Sequence, residues 1–210
     1  MIAKIMCGGP HKWFDSTPSN EETMIIGVDG GALFLLNEGI VPDVAIGDFD
    51  SIQSGELEQL EKVCPYLVKL SCEKDETDTE VAIQYAISLG VTKIFVYGAI
   101  GGRLDHTMAN IRLLLQFIDS TVKIYIVDEN SILQLLSRGE HQFSNLPYQY
   151  VSFFAIEQTV TQITLKGLKY PLKDYQLTQK DIRCISNEVL DETFSVSFES
   201  GYLLMINSQD

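Results

Sequence analysis

The chain reads as an α/β N-terminal domain with a largely parallel sheet, followed by an all-β, sandwich-like C-terminal domain. Up to about residue 127, short β-branched runs bounded by Gly, Asp or Pro alternate with helix-like stretches. After Asp128-Glu129-Asn130 no long helical period recurs, and segments of alternating apolar and polar residues follow one another across short turns. The domains are therefore drawn as 1–128 and 129–210. No internal repeat or low-complexity segment appears.

In chain order, the N-terminal strands are Ile2-Ala3-Lys4-Ile5-Met6, Met24-Ile25-Ile26-Gly27-Val28, Val44-Ala45-Ile46, Lys93-Ile94-Phe95-Val96-Tyr97 and Val122-Lys123-Ile124-Tyr125-Ile126-Val127. Between them, Thr77-Asp78-Thr79-Glu80 has the spacing of a capping box before the apolar Val81, Ala82, Ile83, Ala86 and Ile87. That makes Thr77 the N-cap and Asp78 the first helical residue. A further helix begins near Leu104, with Leu104, Met108, Ile111, Leu115 and Ile118 expected as its buried stripe and His106, Thr107 and Asn110 on a neighbouring polar face. In the C-terminal part, Gln149–Phe154, Gln162–Leu165 and Phe194–Phe198 alternate as strands do.

With 210 residues, 45% of them apolar and 21% charged, the chain can bury a proper core. A net charge of -14 with no Lys/Arg-rich stripe argues against a nucleic-acid partner and favours a cationic ligand. The first residues are interrupted too early for a signal peptide, and no apolar run reaches membrane-spanning length, so a cytoplasmic protein is expected. Cys7, Cys64, Cys72 and Cys184 lack C-x-x-C pairing, and His11, His106 and His141 are scattered. Reduced thiols and no zinc site are expected. Trp13, in the loop after Gly8-Gly9-Pro10, is read as a packing or dimer-contact residue.

The chemistry is concentrated in acidic clusters just past apolar runs: Gly47-Asp48-Phe49-Asp50-Ser51, Glu76-Thr77-Asp78-Thr79-Glu80 and Gly101-Gly102-Arg103-Leu104-Asp105-His106. If the strand ending at Ile46 stays extended, Asp48 and Asp50 leave one face while Phe49 turns away. Gly98-Ala99-Ile100-Gly101-Gly102-Arg103 leaves a strand and enters a helix, so its freed N–H groups could cradle phosphate and Arg103 could clamp it. It is neither a Walker A loop nor a dinucleotide fingerprint. In an open α/β sheet ligands bind at the carboxyl ends of the strands, where Asp29, Asp48, Asp50, Asp78, Arg103 and Asp105 would gather. So many carboxylates call for a hard cation, and Mg²⁺ with a substrate phosphate fits oxygen-only ligands.

Val28-Asp29-Gly30-Gly31-Ala32, the Asp48 cluster, Lys74-Asp75-Glu76-Thr77-Asp78 and the stretch from Gly98 to Asn110 resemble, in order and spacing, the motifs of the thiamine pyrophosphokinase family. Leu165–Leu172, Ile185-Ser186-Asn187-Glu188 and Ser200–Met205 resemble that family's β-domain, so the likeness spans essentially the whole chain. The resemblance implies a homodimer with active sites at the subunit interface. It implies transfer of pyrophosphate from ATP to the hydroxyethyl group of thiamine, giving thiamine diphosphate and AMP with Mg²⁺. It further implies Asp48, Asp50 and Asp78 as metal and phosphate-handling acids, with Asp78, Arg103 and Asp105 in the catalytic group. Asp29, Gly30, Lys74, Asp75, Arg103, His106, Thr107 and Asn110 would face ATP, and Asp105, Ser186 and Asn187 would face thiamine. Either Asp78 or Asp105 would orient the thiamine hydroxyl or take its proton. Lys74 departs from the Gln of some members, and Arg183-Cys184-Ile185 stands where small polar residues are expected. The competing readings are a Mg²⁺-dependent nucleotide or diphosphate hydrolase, using the same acids with water as acceptor, and a non-catalytic thiamine or nucleotide sensor.

Overall fold

A computed structural model of the chain describes every residue except His11, Lys12, Ser51, Asn145, Glu157 and Gln158. Ser51, which closes the first acidic cluster, and His11 thus lie outside the described residues. The chain divides into two compact units, Met1–Asp128 and Glu129–Asp210.

The first unit holds strands β1 (Ile2–Met6), β2 (Thr23–Val28), β3 (Val44–Gly47), β4 (Tyr66–Lys69), β5 (Lys93–Tyr97) and β6 (Lys123–Asp128). Its helices are α1 (Gly30–Asn37), α2 (Ser54–Val63), α3 (Asp78–Ser88) and α4 (Leu104–Gln116). The strands pair in parallel in the order β6-β5-β1-β2-β3-β4. β1 is buried along its whole length, as a central strand covered on both faces should be. From β1 the chain steps one way to β4, then crosses back to lay β5 and β6 on the other side of β1. The strand order thus reverses between β1 and β5, and in open α/β sheets ligands bind at the carboxyl ends of the strands beside such a switch point.

The predicted start of α3 is present: the Thr77 hydroxyl accepts from Glu80 N at 3.2 Å, and the helix begins at Asp78. The stripe expected along α4 is not. Leu104 and Met108 are 74% and 46% exposed, Ile111, Leu115 and Ile118 are half-buried, and the helix buries Leu113 and Leu114 instead. Its apolar residues cover more of the circumference than one core-facing stripe, so the i, i+4, i+7 spacing alone did not select the inner face.

The second unit is a sandwich. One antiparallel sheet runs β12-β9-β14-β7, from Asn187–Glu188, Tyr150–Ala155, Leu203–Ser208 and Ser131–Leu136. The other runs β11-β10-β13-β8, from Leu172–Thr178, Thr159–Lys166, Thr193–Phe198 and Gly139–Ser144. Val151, Phe153, Leu203 and Met205 from the first sheet meet Ile163, Leu165, Val196 and Phe198 from the second in a single core. Alternation with period two is what sends these residues inward and their neighbours outward.

Candidate active site

At the switch point the loops after β1 and β5 meet backbone to backbone. A Cβ on Gly9 would collide with the carbonyl oxygen of Gly98, and one on Gly98 would lie 2.5 Å from the oxygen of Cys7. Gly98 also has φ +63°, which L side chains rarely adopt. Gly9 N donates to Gly98 O at 3.0 Å, so the loops after β1 and β5 are tied together at the switch point. Gly8 and Gly9 carried no motif that sequence reasoning singled out; their importance comes from β1 and β5 being neighbours.

The loop after β5 is braced from α4. The Thr107 hydroxyl accepts from Gly101 N at 3.1 Å and points back to Gly101 O at 3.4 Å, while Asn110 Nδ2 donates to Ala99 O at 2.8 Å. These side chains, expected to face ATP, here hold the shape of the glycine loop. Arg103, the residue just before α4, forks onto Asp105: Nε to Oδ1 at 3.2 Å and a terminal nitrogen to Oδ2 at 2.6 Å. Both are exposed, so the pair orients the guanidinium more than it stabilises the fold. The Arg103 hydrogen bonds hold the Asp105 carboxyl below the usual range. His106 and Asp75 are exposed.

Asp48 and Asp50 do not share an extended strand. β3 ends at Gly47, Phe49 adopts φ +56°, and Asp50 N donates to Asp48 Oδ1 at 3.1 Å. The cause is long-range. Phe49 N donates to Asp29 Oδ1 at 3.3 Å, and the Phe49 ring is buried with Ala32 of α1 and Leu60 of α2, which turns the backbone over.

Asp29 sits between β2 and α1 with φ +46°, an unusual conformation for a side-chain-bearing residue. Burial, then the charge and hydrogen bonding of Asp78, raise its pKa to about 7. Asp78 Oδ1 is buried and finds no hydrogen-bond partner. Lys74 Nζ stands 2.8 Å from that oxygen, close enough for an ion pair although the angles are not those of a hydrogen bond. Asp48 and Asp29 also act on Lys74 electrostatically. Asp29, Asp48, Asp78 and Lys74 are thus brought together at the ends of β2, β3 and α3. Among the described residues no three acidic, His or Cys side chains already converge as a formed metal site. The oxygen-only donors and the orphaned Asp78 Oδ1 nonetheless suit a hard cation.

The raised Asp29 pKa has a pH consequence. The folded chain keeps that proton up to about pH 7, whereas an unfolded Asp releases it near 3.8. This contribution to stability is complete below the unfolded value and is lost as pH rises through about 7. In EDTA, thermal melts should show the wild type losing stability across that window and Asp29→Asn losing less of it. Parallel pH profiles would contradict the assignment.

In the second unit, Asn187 is buried and its amide is held through the oxygen and one N–H. Its Oδ1 accepts from Tyr170 N at 2.9 Å and from Glu188 N at 3.0 Å, and its Nδ2 donates to Tyr170 O at 2.8 Å. Asn187 therefore fixes the loop carrying Tyr170 and leaves Ser186 as the outward-facing polar group. Ser186 is exposed at φ +54°, held by a bond from its N to Ser152 Oγ at 2.9 Å. Gln162 and Asp174, also exposed, share the positive φ, so what sets Ser186 apart is its place beside the buried Asn187. Trp13 packs on Tyr97 of β5, ring centres 5.7 Å apart.

The family model "Thiamin pyrophosphokinase, catalytic domain" matches residues 17–126, and "Thiamin pyrophosphokinase, vitamin B1 binding domain" matches residues 140–203. A thiamine pyrophosphokinase from Bacillus subtilis is 36% identical over 209 residues, covering 98% of each chain. A crystal structure of the Bacillus subtilis thiamine pyrophosphokinase superposes with a TM-score of 0.89 at 34% identity over the full length of both chains. That of the Geobacillus thermodenitrificans protein gives 0.88 at 36% identity, covering all of this chain and 98% of the other.

Proposed function

The chain belongs to the thiamine pyrophosphokinase family, and from that premise we propose how its own residues transfer pyrophosphate from ATP to thiamine, giving thiamine diphosphate and AMP. The observation that carries this reading is the acid group past the carboxyl ends of β2 and β3, where the buried Asp78 Oδ1 makes no hydrogen bond and has only the Lys74 ammonium opposite it. Asp48, Asp50 and Asp78 would hold Mg²⁺. Bound there, it would neutralise charge on the phosphate chain.

The rest is the chain's own work. The braced glycine loop offers backbone N–H groups to phosphate oxygens, with Thr107 and Asn110 holding the loop and Gly30 opening α1 beside Asp29. Arg103 is pre-oriented by Asp105 and keeps donors free for phosphate oxygens. Asp75 and His106, exposed in the turn before α3 and at the start of α4, are assigned to the outer nucleotide contacts. With its carboxyl pulled below the ordinary range, Asp105 is a weak base and serves to orient thiamine. The acid group also draws in the thiazolium cation.

Thiamine needs walls that exclude water, and we assign these to the second unit around Ser186, positioned by Asn187. Tyr170 and Ile185, 60% and 42% exposed beside it, supply apolar surface. We assign the protein as a homodimer whose sites combine the first unit of one subunit with the second unit of its partner. The exposed Leu104 and Met108, one turn apart on α4, support a buried partner surface. Among the described residues no helix is long and apolar enough to cross a membrane, and a cytoplasmic location with no nucleic-acid partner accords with the charge.

Incubation with ATP, Mg²⁺ and thiamine should yield AMP and thiamine diphosphate in equal amounts, resolved by chromatography. Thiamine-independent release of diphosphate would instead indicate a hydrolase, and ligand binding without turnover a sensor. At the thiamine wall, Ser186→Gly should relieve the positive φ and stabilise the fold by about 1 kcal/mol. The same change should raise the thiamine KM about 5-fold by removing one hydrogen-bonding group. A raised melting temperature with an unchanged KM would remove Ser186 from the site.

A further inference from the structure

We propose that the Lys74 ammonium is a placeholder for the divalent cation: in the metal-free protein it neutralises Asp78, and on metal binding it leaves for the substrate phosphates. This deepens the metal reading above and rests on it. Lys74 and Asp78 are four residues apart, but Lys74 lies in the turn before α3, so no helical register forces them together. The Lys74 side chain is only 16% exposed although Ser71, Cys72, Glu73, Asp75, Glu76 and Thr77 around it are exposed. A surface lysine ordinarily keeps its head in water and its rotamer freedom. Here the head turns inward and also donates to Ser71 O at 3.2 Å.

Its aim is the buried oxygen that water does not reach. The contact has the distance of an ion pair, and the Asp78 carboxylate is the main group that holds the ammonium in its charged form. One positive charge against the Asp78 and Asp48 carboxylates leaves the group short of compensation, and a divalent ion would complete it. An ammonium is a point charge on a flexible stem and can leave without breaking a planar fork of bonds. Once displaced, it has nearby phosphate oxygens as its next partner.

Mn²⁺ can stand in for Mg²⁺ and be followed by loss of its free-ion electron paramagnetic resonance signal, without nucleotide. Lys74→Gln should bind Mn²⁺ on the order of tenfold tighter than wild type, the lower end of what one unit charge at this range does to a neighbouring equilibrium. Lys74→Arg, which keeps the charge, should bind as wild type does. In EDTA Lys74→Gln should melt below wild type, and Mn²⁺ should close the gap. A variant that does not fold in EDTA should therefore fold in Mn²⁺. Equal or weaker Mn²⁺ binding by Lys74→Gln, or its failure to fold even with Mn²⁺, overturns the placeholder alone. A wild type that binds no Mn²⁺ with or without ATP overturns the metal site itself and the placeholder with it.

Discussion

Asp78→Asn and Asp48→Asn are each expected to lower kcat by about 10²-fold or more, the loss that follows removal of one strong electrostatic contact in a transition state. The fold should survive both. Asp78 carries the orphaned oxygen, and its charge helps push the Asp29 pKa upward. An amide there removes that like-charge repulsion but also the ion pair with Lys74, so the melting temperature of Asp78→Asn in EDTA should change little while turnover collapses. A fold retained while turnover is lost is the signature of a charge kept for function and not for folding. Asp48 is half-buried and hydrogen-bonded to its own turn, so Asp48→Asn should keep the Asx-type contact to Asp50 N. Near-normal turnover of both variants at saturating Mg²⁺ would rule out the acid group as the metal site.

The contrast between Asp78 and Asp48 also shows what a sequence can disclose. Asp78 was legible because capping is local: Thr77, Glu80 and the apolar positions after them are enough to begin a helix there. The strands of the parallel sheet were legible for a similar reason, since buried strands are continuous β-branched runs such as Ile2–Met6. Helix α2 and strand β4 were not, because Ser54–Val63 is mostly polar and Tyr66–Lys69 is only partly buried. The turn at Phe49 depends on Asp29, twenty residues earlier, and the commitment of the Asn187 amide depends on Tyr170, seventeen residues earlier. Neither is visible to a rule that looks a few residues either way. The wrongly assigned stripe on α4 is a different failure. Its period was right, but a helix apolar on more than one side gives no local sign of which side meets solvent and which the core.

Subunit mixing should restore activity from two inactive proteins. Asp48→Asn disables the first unit, and Ser186→Lys sets a bulky cation against the wall assigned to thiamine, itself a cation. Asn187 is unsuited to this experiment, because its buried amide holds the Tyr170 loop and its loss would unfold the wall. Ser186 is exposed, and its only described hydrogen bond is made by its backbone, so a new side chain there meets solvent. If each site combines the first unit of one subunit with the second unit of its partner, a mixed dimer holds one site bearing both substitutions and one bearing neither. Random pairing at equal amounts makes about half the dimers mixed, so recovery should approach a quarter of wild-type activity. The physical ground is a division of labour: the carboxyl end of the parallel sheet supplies charge and backbone donors for phosphates, while the exposed Tyr170, Ile185 and Ser186 supply the apolar wall and hydrogen bonding that a pyrimidine needs. No recovery after exchange has been verified with tagged subunits would mean that each site is completed within one chain.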